Sequence, residues 1–124
     1  MCYTLVRQKQ LKEGFIMLRE VNCIEPSVQK KIIECCDKIS DYIVCMRRDV
    51  AECNMLILTI KNIDGNYGYR KCSDCLTGAL SDQIEGGFVE KHSIDNIMRI
   101  SFISETISGY FIEKMIDKKV LFVE

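Results

Sequence analysis

The stretch Met55-Leu56-Ile57-Leu58-Thr59-Ile60 decides how the fold is read. A short apolar run of this kind fits either a buried strand or a buried helix, and periodicity alone does not separate the two. The neighbouring sequence arbitrates. Elsewhere the apolar residues recur at helical steps, so this run is the one candidate strand, and one strand cannot make a sheet. That context turns residues 55 to 61 towards helix and the architecture towards an all-α bundle.

Upstream, Pro26 suits the first turn of a helix. Beyond it Val28, Ile32, Cys35, Ile39, Ile43, Met46 and Val50 follow one another at steps of three and four. Lys30, Lys31, Glu34, Lys38, Asp41 and Arg48 fall mainly on the other side. The spacing predicts a single amphipathic helix from about Ser27 to Ala51. Downstream, Asp64-Gly65-Asn66-Tyr67-Gly68 is a turn signal. A helix over Arg70 to Gln83 follows, with Cys72, Cys75, Leu76, Ala79 and Leu80 inward, closed by Glu85-Gly86-Gly87.

Ser93 reads as the N-cap of a last long helix, with Asp95 in its first turn. Ile94, Ile97, Met98, Phe102, Ile107, Tyr110, Phe111 and Met115 form its stripe, Ile100 and Ile103 widen it, and Lys114, Lys118 and Lys119 sit near its end. A helix apolar over so much of its circumference is expected to be central. The first twenty residues, with Tyr3, Leu5, Val6, Leu11, Phe15, Ile16 and Leu18, predict one more helix, weakest at Gly14.

The 124 residues are 48% hydrophobic and 28% charged, which suits one domain spanning 1-124 with a real core. Lys+Arg number 17 against 18 Asp+Glu, and no basic run stands out, which argues against a nucleic-acid partner. No run approaches the ~18 apolar residues of a membrane-spanning helix.

The 8 cysteines first suggest a disulfide framework or a zinc site. The N-terminal Met-Cys-Tyr-Thr-Leu-Val-Arg-Gln has no long apolar core or small-residue cleavage site of an export signal. Cys35 and Cys36 would point about 100° apart on a helix. Reduced thiols packed as small hydrophobes are the expected state. Cys72-Ser-Asp-Cys75 lacks a second pair, and at i,i+3 it shares a face as core packing also demands; His92 is expected to be solvated. No phosphate-binding glycine loop and no Ser/His/Asp set occurs. Binding is therefore expected rather than catalysis, without metal or cofactor.

Asp64-Gly65-Asn66-Tyr67-Gly68-Tyr69-Arg70, followed by Gly78-Ala79-Leu80, resembles the first homology motif of the Bcl-2 family of apoptosis regulators, with Tyr67, Gly68 and Tyr69 where that motif has Asn-Trp-Gly. Ile32-Ile-Glu-Cys-Cys36-Asp37 is similar to the family's death motif, with Cys36 as its small residue. Residues 100 to 117 are similar to its sixth helix. The C-terminal homology motif is not found.

The resemblance implies a compact Bcl-2-like helical bundle with a buried central helix, of the divergent viral type. Such a protein would be anti-apoptotic. It would hold the amphipathic death-motif helix of pro-apoptotic relatives in a hydrophobic groove, in the host cytoplasm and peripherally at mitochondria, without a transmembrane anchor. Carried over, the groove floor is Ile39, Ile43, Met46 and Val50, with Ile57 and Ile60 opposite. Arg70 would pair with the incoming helix's Asp, a charge-assisted contact of about 1.5–3 kcal/mol, with Asp64, Gly65, Tyr67 and Tyr69 beside it. The alternative is a homodimeric helical interaction module that binds no death motif.

Overall fold

The computed structural model describes residues 23–52, 55–61, 67–85 and 96–124. Their order is α1 (Pro26–Ile39), β1 (Ile43–Asp49), β2 (Met55–Ile60), α2 (Tyr67–Leu80), β3 (Ile97–Ile100), α3 (Glu105–Asp117) and β4 (Leu121–Val123). The expected N-terminal helix, Asp64 and Gly65, and the expected cap at Ser93 lie outside the described residues.

The protein is an α/β fold, which corrects the all-α bundle. Its sheet has the order β3-β2-β1-β4. β2 runs antiparallel to both β1 and β3, while β4 runs parallel to β1. β3 and β4 are therefore parallel and on opposite edges, and α3 carries the chain across the sheet between them.

The expected helix from Ser27 to Ala51 divides in two. α1 starts at Pro26 and stops at Ile39, and a 3-10 turn over Ser40–Tyr42 leads into β1. The ladder slips between Ile43 and Cys45, where Val44 is one residue too many for its partner strand. This β-bulge sets Ile43 and Met46, three residues apart, on the same face. A helical step and a bulged strand thus leave the same mark in the sequence.

Register sorts the side chains. Met46, Leu58, Met98 and Phe122 share one row, and Leu56 and Ile100 the next. This near face meets Ile32, Cys35, Cys36 and Ile39 of α1, Cys72, Leu76 and Leu80 of α2, and Ile107, Phe111 and Met115 of α3 in one cluster. Each of its large apolar side chains contributes about 1.5–3 kcal/mol on burial. β2 lies between two strands and buries Leu56, Ile57, Leu58 and Ile60, which is why it reads as a continuous apolar run.

Residues 97 to 100 form an edge strand, not the first turns of a helix. α3 begins later, where Ser104 Oγ accepts the Ile107 N–H at 3.3 Å as its N-cap. Among the described residues no helix is a buried central rod. α2 buries Gly68, Tyr69, Cys72, Leu76 and Leu80 and leaves its other side to solvent. Gly68 lets that helix start against the end of β2. A Cβ there would lie 2.9 Å from the Lys61 carbonyl oxygen and 3.1 Å from Ile60.

Candidate functional site

The residues expected to floor a groove are dispersed. Ile39, Ile43, Met46 and Ile60 belong to the interior cluster. Ile57 is buried too, but on the opposite face of the sheet, in register between Arg47 and Arg99. Val50 lies in a 3-10 turn after β1 and is 76% exposed. No common surface joins these six.

Around α2 the pieces are closer together. Tyr67 is exposed at the start of the helix and meets the Tyr42 ring edge-on, with centroids 5.7 Å apart. A hydrogen bond with Tyr67 raises the Tyr42 phenol above its ordinary value. Tyr69 turns inward, and burial raises its phenol as well. Arg70 faces solvent, and the resemblance's Gly78 is surrounded by open space, with no atom close enough to demand a glycine.

Cys35, Cys36 and Cys72 are free thiols inside the core. Burial, with smaller contributions from neighbouring thiols, pushes Cys35 and Cys72 up to about 12, and burial raises Cys36 as well. Such groups stay protonated at neutral pH and are poor nucleophiles and poor metal ligands. Among the described residues no three metal-binding side chains are grouped as a metal would need, and no helix is long and apolar enough to cross a membrane. A half-open cleft of about 370 Å³ lies where α1 and α3 begin, lined by Ile24, Val28 and Ile107 with Glu25, Gln83 and Thr106. The Glu25 carboxylate works against the anion that two helix N-termini would otherwise favour.

The surface that stands out is the β4 edge. β4 pairs with β1 on one side, Cys45 opposite Leu121 and Arg47 opposite Val123, and is last in the sheet order on the other. These four side chains project from the far face. Leu121 is 62% exposed and Val123 43%, while Cys45 is half-buried and the bulge residue Val44 is exposed. Strands with a bare edge offer unpaired N–H and C=O groups to another chain and are usually guarded by Lys, Pro or an inward charge. Leu121-Phe122-Val123 contains no Lys, no Pro and no other charge, and its three-residue length is the one blunting feature of the strand itself.

The sequence does contain a signal for this edge, since Val120-Leu-Phe-Val123 is a β-branched and aromatic run. Its standing as an edge depends on strand order, which no local pattern encodes. The other edge differs. Just beyond β3, Phe102 bridges to Ile84, the Glu85 N–H donates to the Ser101 carbonyl at 2.7 Å, and the Ile103 N–H donates to the Gln83 carbonyl at 2.8 Å. No protein family, curated protein or solved structure matches this chain.

Proposed function

We propose that this chain is a protein-interaction module, without catalytic activity of its own, that docks another polypeptide along the β4 edge of its sheet. The observation that carries the reading is that β4 is last in the strand order among the described residues, with its far-face residues Leu121 and Val123 both exposed. An added strand would draw orientation from the backbone ladder and specificity from the pockets between alternate side chains. The three residues of β4 allow only a few ladder bonds, so Leu121, Val123 and the nearby Val44 must supply much of the affinity. Capture of another protein chain is also the activity that the Bcl-2 resemblance implied. A groove between helices is the less favoured route, because Ile39, Ile43, Met46 and Ile60 are committed to the core.

Titration of the isotope-labelled protein with two peptides tests the reading. One is an extended peptide of alternating threonine and valine, the other an amphipathic death-motif helix. Amide shifts confined to residues 121–123 and 45–47 on adding the extended peptide are the expected result. Shifts around Tyr67 and Arg70 on adding the helix would transfer the function to the start of α2, and no shift with either peptide, at a concentration where the protein is monomeric, would overturn it.

A further inference from the structure

We propose that the occupant of the β4 edge is a second copy of this chain, paired β4 to β4 antiparallel about a two-fold axis at Phe122, so that two four-stranded sheets become one of eight. The inference rests on the reading of that edge as the docking surface, and it adds the identity of the partner. Three features of the strand support self-pairing over pairing with an unrelated chain.

The first is side-chain pattern. Centred on Phe122, the antiparallel register sets Leu121 of one copy opposite Val123 of the other, twice by symmetry. Both residues project from the far face and both are exposed, so the pairing covers apolar surface on each copy at once. The second is charge. Lys118 and Lys119 precede the strand and Glu124 follows it, all three exposed. Antiparallel pairing brings the basic end of each strand to the acidic end of the other, again twice. Parallel pairing would set like charge beside like, which is unfavourable for directly opposed residues. Lys118 already contacts Asp37 of its own chain, which leaves Lys119 as the group best placed to meet the second copy's Glu124. The third is that no charge falls within Leu121–Val123, so nothing repels across the symmetry axis.

A contact this short gives a reversible dimer, with a dissociation constant expected between about 10 µM and about 1 mM. Sedimentation equilibrium across that range, with hydrogen exchange at both ends of it, is the test. The mass should rise towards twice that of the monomer, and the amides of residues 121–123 should gain protection only at the high end. Leu121→Lys should weaken association by about tenfold or more. Glu124→Lys and Lys119→Glu should each weaken it several-fold, because each sets like charges together, and the double variant should recover most of the loss. All of these positions are exposed, and circular dichroism checks that the fold is kept.

A monomer throughout, or a dimer indifferent to the charge reversals and to Leu121→Lys, overturns the inference. The Thr/Val peptide separates the two levels. A monomer whose β4 amides shift with that peptide loses the second copy and keeps the docking edge, while a monomer that ignores the peptide loses both.

Discussion

α1 and β1 are joined by one 3-10 turn and bury residues of the same kind, but they hold their phase in different ways. In α1 the face is set internally. Beyond the first turn each N–H bonds within the helix, so Ile32, Cys35, Cys36 and Ile39 point the same way whatever lies opposite. In β1 the face is set by the neighbouring strand. Ile43 pairs with Ile60 and Met46 with Leu58, and the odd residue between them, Val44, is expelled as a bulge. A strand can therefore absorb one residue without turning its core face outward, provided the residue sits where the ladder already slips.

Two deletions sharpen that contrast most. Removing Val44 takes out the bulge and leaves Ile43, Cys45 and Met46 in plain alternation, so a cooperative unfolding transition should survive. Removing Thr59, which pairs with Cys45 across the ladder, has no slip to absorb it. Ile60 would move to the far face and Lys61 into a site that is now 3% exposed. Burying that charge without a partner costs several kcal/mol, and the cooperative transition should be lost in thermal denaturation followed by circular dichroism. Equal outcomes for the two deletions would remove the bulge argument.

Substitutions within the apolar series come next in size. Met46 and Val50 occupy successive steps of that series, yet Met46 is fully buried and Val50 is 76% exposed. Met46→Ala should destabilise by about 2–5 kcal/mol, while Val50→Ala should stay within about 0.5 kcal/mol, both from urea unfolding. Comparable costs would restore the single long helix.

These pairs also show which parts of the fold were legible. α2 and the body of α3 read correctly, because Cys72, Leu76 and Leu80, and Ile107, Phe111 and Met115, repeat without interruption along elements that do not slip. The strands did not read, each for its own reason. The bulge gave β1 a helical step, β2 is apolar on both faces, β3 has four residues that prolong the stripe of α3, and β4 has three. One strand cannot make a sheet, and the described residues hold four, of which only β2 shows as a strand candidate in the sequence. The start of α3 shows the same difficulty: the cap expected at Ser93 lies outside the described residues, and the helix is capped at Ser104, whose Oγ accepts the Ile107 N–H. Of the site, Arg70 lies in the first turn of α2, close to where that helix is expected to begin, while Tyr67 and Gly68 belong to the helix and not to the expected turn. The β4 edge cannot be seen without the strand order.

The two glycines of α2 carry the contrast between internal and external constraint to its smallest scale. Gly68 is constrained from outside, because its missing Cβ leaves room for the Lys61 carbonyl and Ile60. Gly68→Ala should cost about 1–3 kcal/mol, since the backbone oxygen at 2.9 Å cannot move aside without shifting the end of β2. Gly78 has no atom within 4 Å of where its Cβ would lie and sits in an exposed turn of the same helix, so only the helix's own propensity acts on it. Gly78→Ala should stabilise by about 1 kcal/mol, as alanine does over glycine in a helix interior. If instead Gly78→Ala destabilises as much as Gly68→Ala, the open side of α2 is in contact with something, and the packing of that helix would need to be redrawn around it.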